Sequence, residues 1–93
     1  MIVSVRDKRL VLLLAGQVPK RFPHGLVKVV ERRMTAIALA ETVEDLREPL
    51  GHRLEPLRGD RAGQQSIRVN DQWRICFRWH QDGAHDVEMV DYH

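Results

Sequence analysis

Cysteine is almost missing from this 93-residue chain, in which Cys76 stands alone. One thiol cannot form an internal disulfide or furnish the sulfur ligands of a structural zinc site, and a reducing compartment, the cytoplasm, is the expected location. Cys76 itself reads as a small strand residue. Long apolar runs are missing too. The longest, Leu10 to Ala15, falls far short of the ~20 residues that span a bilayer, and no membrane association is expected. Met1 leads straight into Ile2-Val3-Ser4-Val5 with no leader-peptide pattern. There are no internal repeats. His24, His52, His80 and His85 show no ligand-like spacing, so neither a metal nor a cofactor is expected. Ser4 and Ser66 have no nucleophile-elbow glycines around them. Gly59-Asp60-Arg61-Ala62-Gly63 lacks the strand-to-helix setting of a phosphate-binding loop.

What is present suits one folded domain over residues 1–93. Hydrophobic residues make up 43% and charged residues 30%, a balance that permits a core, although a chain this short buries only about two-thirds of its unfolded surface. The net charge of +2 conceals an uneven distribution. Residues 1–40 carry eight Lys/Arg against two acids, whereas residues 41–60 carry three against six. The first two-fifths is a basic block, which fits either a polyanionic partner or a solvated helical face.

The apolar period changes along the chain. Ile2 to Val5 reads as a short strand. Asp7 is placed to cap a helix starting near Lys8, with Leu10, Leu13 and Leu14 on one face and Gly16 as its stop. A linker with Pro19 and Pro23 precedes a second helix over 25–40, whose inner face is expected to hold Leu26, Val30, Met34, Ile37 and Ala38. Thr42 and Asp45 form a capping box on a single turn. From Arg53 the period is two: strands over 53–57, 65–69, 73–80 and 84–91, with turns at 59–63, Asn70-Asp71 and Asp82-Gly83. Pro56 marks an edge. The expected class is α+β, an N-terminal strand and a two-helix hairpin packed on a mainly antiparallel sheet of four to five strands.

Alternation splits the 73–80 strand into two faces. Trp73, Ile75, Phe77 and Trp79 share one. Arg74, Cys76, Arg78 and His80 share the other, joined by Arg68 from the neighbouring strand. If helices cover the apolar face, Arg68, Arg74 and Arg78 lie on a sheet face that helices leave open. Arginines grouped this way bind phosphate; they also suit the wet side of an ordinary antiparallel sheet. Tyr92 and His93 add two proton-active groups, at a place where a chain end equally suits a disordered tail. Metal-free RNA cleavage needs a base for the 2′-OH, cations for the phosphorane and an acid for the leaving 5′-oxygen. On this reading His93 is expected within reach of Arg74.

The runs Arg53-Leu54-Glu55-Pro56-Leu57-Arg58-Gly59-Asp60-Arg61, Ser66-Ile67-Arg68-Val69-Asn70, Trp73-Arg74-Ile75-Cys76-Phe77-Arg78 and Asp91-Tyr92-His93 jointly fit L-x-P-L-[KR]-G-D, S-I-x-V-N-x-x-W-R-I-x-F and D-Y-H. With these the whole chain resembles the HigB branch of the RelE/ParE toxin superfamily. The resemblance implies a toxin of a type II toxin–antitoxin pair, an mRNA interferase that enters the ribosomal A site. It further implies a helix-turn-helix antitoxin of the HigA type as partner, with operator DNA met only through that antitoxin. Arg74, Tyr92 and His93 take the catalytic positions. Arg58 stands where relatives often have lysine; as a permanently protonated group it can hold phosphate but not act as a base. Arg68 corresponds more weakly to a further basic position. Within that picture Lys8, Arg9, Lys20, Arg21, Lys28, Arg32 and Arg33 are expected to contact ribosomal RNA. The same superfamily leaves two alternatives, a non-nuclease ParE-like gyrase inhibitor and a degenerate toxin acting only through antitoxin binding.

Overall fold

The computed structural model describes residues 1–23 and 25–91. The expectations placed on His24, Tyr92 and His93, including the approach of His93 to Arg74, lie outside the described residues.

Asp7 opens helix α1, Lys8–Leu14. Its carboxylate accepts from the Arg9 amide at 3.0 Å, as an N-cap does. It also accepts from the Met89 amide at 3.0 Å, which fastens the helix start to the sheet. Gly16, at φ 82°, supplies the left-handed stop. Helix α2, Val27–Leu39, buries Val30, Met34 and Ile37. The sequence pattern placed Ala38 inside and Ala36 outside. In the structure Ala38 is exposed and Ala36 packs against the core. At 100° per residue Ala38 and Ala36 lie about 90° and about 110° to opposite sides of the line through Val30 and Ile37, so periodicity alone does not rank the two. Thr42 and Asp45 do form a capping box, on the 3-10 turn Val43–Arg47.

Strands β1 (Glu55–Pro56), β2 (Gln65–Arg68), β3 (Trp73–His80) and β4 (Gly83–Asp91) form one antiparallel sheet in the order β1-β2-β3-β4. Pro56 sits on the edge strand, where its missing N–H breaks no ladder. The strand expected over 53–57 shrinks to two residues because Arg53 adopts a left-handed conformation, φ 45° and ψ 55°, at the end of the 3-10 turn Leu50–His52. The strand expected over 2–5 is reduced to two parallel bridges, Ile2 to Ala84 and Val5 to Val87. Between them Asp86 has φ 55°, and the pairing of β3 with β4 slips between Cys76 and Arg78, so no regular ladder can run through. Gly83 cannot be replaced there: an added Cβ would lie 2.2 Å from the Met1 carbonyl oxygen.

The helices cover one face of the sheet. Leu10, Leu13, Val30, Met34 and Ile37 meet Ile67, Ile75, Phe77, Val87 and Met89 in one core, with Trp73 and Trp79 packed at its margin. No helix among the described residues is long and apolar enough to cross a membrane.

Candidate active site on the arginine face of the sheet

The face turned away from the helices carries Ser66, Arg68, Arg74 and Cys76. Register puts Arg68 directly opposite Arg74, and Ser66 opposite Cys76. Expectation and structure agree that helices leave this face open, but its centre is not bare. The chain between Arg53 and Gln64 folds across it. As a result Arg74 is only 8% exposed, and Ser66 and Cys76 are fully buried.

A guanidinium taken out of water needs acceptors, and Arg74 has them. Its Nε donates to Ser66 Oγ at 2.7 Å. Its Nη2 donates to the Arg53 carbonyl at 2.6 Å and, more weakly, to the Ser66 carbonyl at 3.3 Å. The half-exposed Glu55 carboxylate lies 3.7 Å from Nε. Glu55 and Arg58 line one depression beside Pro56 and Leu57, so the Arg58 position borders the same neighbourhood as Arg74. Arg58 is exposed and precedes the 3-10 turn Gly59–Arg61.

The other arginines of this face are placed differently. Arg68 pairs with the exposed Asp71 at 2.5 Å, and its carbonyl accepts from Arg33 Nε at 2.8 Å. Arg78 stands four residues along β3 from Arg74, about 13 Å at ~3.3 Å per residue, and opposite His85. Its guanidinium lies against Gly63, where an added Cβ would come within 3.0 Å of Nη1. Arg61 bridges Glu88 at 2.6 Å and Gln64 at 3.1 Å. Burial pushes the Cys76 thiol pKa up, so the lone cysteine stays protonated and is no nucleophile. Among the described residues no group of acids, histidines and cysteines is placed to hold a metal ion.

The basic block divides in two. Lys8, Lys20, Arg21, Lys28 and Arg32 are exposed. Arg9 instead grips Asp7, with Nη2 to Oδ2 at 2.8 Å, donates to the Met89 carbonyl at 3.0 Å, and stacks over Trp73 at 5.5 Å. Arg33 spends its Nε on the Arg68 carbonyl. Both sites are braces between a helix and the sheet.

The family profile described as RelE-like toxin of type II toxin–antitoxin system HigB matches residues 4–93. This chain belongs to the HigB-like toxin family. It is 36% identical over 93 residues to "Endoribonuclease HigB" of Proteus vulgaris, covering all of both chains. It is 39% identical over 71 residues to "Toxin HigB-1" of Vibrio cholerae, covering 76% of this chain and 74% of that one. Among solved structures, YafQ from E. coli superposes with a TM-score of 0.67 at 15% identity, over 99% of this chain and 92% of that one. A YoeB/ParE toxin from Agrobacterium tumefaciens gives 0.58 at 19%, over 99% and 98%. At such identities these two establish the fold alone, and they agree with two helices on a four-stranded antiparallel sheet. Membership of a type II family also means a protein antitoxin as partner.

For this HigB-like chain, sequence reasoning placed Arg74 on the right face but missed Ser66, Arg53 and Glu55 as its neighbours. Ser66 had a readable signal, a polar residue alternating between apolar ones opposite an arginine-bearing strand. Arg53 had none, because it acts through its backbone carbonyl.

Proposed function

We propose that this HigB-like toxin is an mRNA endonuclease that works on the ribosome and cuts without metal, using the RNA's own 2′-OH as nucleophile. The observation that carries the reading is the full-length match, 36% identical, to a protein named as an endoribonuclease. The arginine face supports it chemically. Arg74 is a permanent cation fixed by the Ser66 hydroxyl and the Arg53 carbonyl, the type of group that stabilises charge growing on a phosphorane. Arg58 and Arg68 would help to seat the message, with Arg78 further along the same strand. Tyr92 and His93 would divide proton transfer and orientation, imidazole being the side chain that titrates nearest neutrality. Glu55 adds a carboxylate at the site, able to accept a proton or to steady the cation beside it. The exposed members of the basic block, Lys8, Lys20, Arg21, Lys28 and Arg32, would meet ribosomal RNA. A HigA-type antitoxin would neutralise the toxin in the cytoplasm and bring it to operator DNA.

Programmed ribosomes incubated with the purified protein, followed by mapping of the 5′ ends of the message, test this. Wild type should cut at defined positions and leave 5′-hydroxyl ends, as attack by the RNA's own 2′-OH requires, and a chain ending at Asp91 should not. Full-rate cutting by the shortened chain would remove Tyr92 and His93 from the mechanism. Inhibition of gyrase supercoiling without RNA cleavage would replace the reading with the ParE-like one.

A further inference from the structure

The Nε and Nη2 groups of Arg74 are both fixed by named acceptors. The Nε–H and Nη2–H groups of a guanidinium point the same way, as a fork, and here that fork meets the Ser66 hydroxyl at 2.7 Å and the Arg53 carbonyl at 2.6 Å. Fixing this edge sets the plane of the group and the direction in which the opposite Nη1 side faces.

Both partners sit in places that packing alone does not explain. Ser66 is fully buried within a strand whose next residue, Ile67, belongs to the apolar core. A buried hydroxyl costs stability unless it is paired, and Arg74 is its partner. Arg53 is a non-glycine residue in the left-handed region, a conformation that persists only where its surroundings impose it. Those surroundings are visible. The Arg53 amide donates to the Leu50 carbonyl at 3.1 Å. The preceding His52 is buried, with Nδ1 3.2 Å from the Leu46 carbonyl oxygen. This turn aims one carbonyl at one guanidinium. Glu55, at 3.7 Å and half exposed, supplies charge without comparable direction.

We infer that Ser66 and the Arg53 carbonyl are positioning groups that orient the Arg74 guanidinium toward the scissile phosphate. The inference rests on the proposed role of Arg74 in cleavage. Its rival is a purely structural one, in which Arg74 merely staples the turn at residue 53 to the sheet.

The test is a double-mutant cycle on programmed ribosomes with Ser66→Ala, Ser66→Thr, Arg74→Ala and the Ser66→Ala/Arg74→Ala pair, each checked by thermal melting. Ser66→Ala should slow cleavage at saturating ribosomes roughly tenfold, the value of one hydrogen bond to a charged group. The ribosome concentration giving half-maximal rate should stay unchanged. Ser66→Thr, which keeps the hydroxyl, should recover most of the rate. In the Arg74→Ala background the serine change should add nothing. A full rate for Ser66→Ala, or equal losses with and without Arg74, overturns the inference while leaving Arg74 in the mechanism. A full rate for Arg74→Ala overturns the proposed role of Arg74 and the inference with it. Should the Ser66 variants fail to fold, Arg74→Lys decides: it keeps the charge without the planar fork and should cut roughly tenfold more slowly or worse per folded molecule, whereas a full rate would show that no oriented guanidinium is needed.

Discussion

Ile67, Ile75, Phe77 and Met89 meet the helices, while Ser66, Arg74 and Cys76 face the other way from the same strands. The two faces are buried by different physics. On the helical side, apolar groups exclude water and any neighbour of suitable shape contributes, so stability scales with area. On the arginine side, a buried charged group needs acceptors at defined positions, such as those at 2.6 and 2.7 Å. One face tolerates conservative change and loses stability by degrees. The other depends on individual atoms, and its failures should appear as lost activity. If Arg74 acts as proposed, a fold of this size keeps a folding surface and a chemical surface on one layer of backbone, one residue apart.

The largest effect expected on the helical side comes from Phe77, whose ring is fully buried and meets Trp79 edge-on at 6.4 Å. Phe77→Ala should cost about 3–5 kcal/mol, read from the shift in a denaturant midpoint. A loss below about 1 kcal/mol would mean that the core repacks freely and that the contrast between the faces is overstated. On the other face, Arg74→Ala should lower the cleavage rate by roughly 10²-fold, comparable to removal of an oxyanion donor. If that variant lost stability and kept its rate per folded molecule, Arg74 would belong with the structural braces.

The helical face was the more legible of the two. Alternation in Trp73 to His80 reproduced β3 without error, and the helix caps at Asp7 and Thr42 followed from residue type. Apolar periodicity is a sum over many residues, so the misplaced positions, Ala36 and Ala38 in α2 and the exposed Leu14 in α1, did not disturb it. The arginine face was read correctly as to which residues share it and incorrectly as to how open it is. Arg74 is covered by a segment whose course depends on a left-handed Arg53, and nothing in the identity of an arginine signals that conformation. The basic block shows the same limit. Lys28 and Arg9 look alike as charges, yet one is exposed and the other is tied to Asp7 and Trp73, and only the tertiary contact separates them.

That division can be broken experimentally. Replacing Lys20, Lys28 and Arg32 together with glutamine should weaken ribosome binding at low salt by roughly tenfold and flatten its dependence on salt, with the melting temperature unchanged. Arg9→Gln should do the reverse, lowering stability and leaving the salt dependence alone. It removes both the brace to Asp7 and the stack on Trp73. Sedimentation with ribosomes across a salt series reads the first effect and thermal melting the second. If both substitutions behaved alike, the separation of solvated charges from braces would not hold.

The smallest effect is one of pH, and it separates a buried imidazole from a half-buried carboxylate. Burial lowers the His52 imidazole below its ordinary 6.5, the Arg33 charge adds to this, and the bond to the Leu46 carbonyl opposes it. The native state therefore keeps His52 neutral where the unfolded chain would take up a proton. Stability from this group is complete above about pH 6.5 and is lost as pH falls through the depressed folded value. Asp7 works in a separate window. Burial raises its carboxyl pKa, but hydrogen bonds from Arg9 and the Met89 amide, with the Arg9 charge, outweigh that and hold it below the usual range. Its contribution is complete above about pH 3.9 and is lost only as pH falls through the lower folded value. Denaturant midpoints should therefore decline gently below pH 6.5 and again below pH 4. His52→Gln should flatten the upper step and Asp7→Asn the lower one. An upper step that survives His52→Gln would assign it to other groups and leave the turn carrying Arg53 insensitive to His52 protonation.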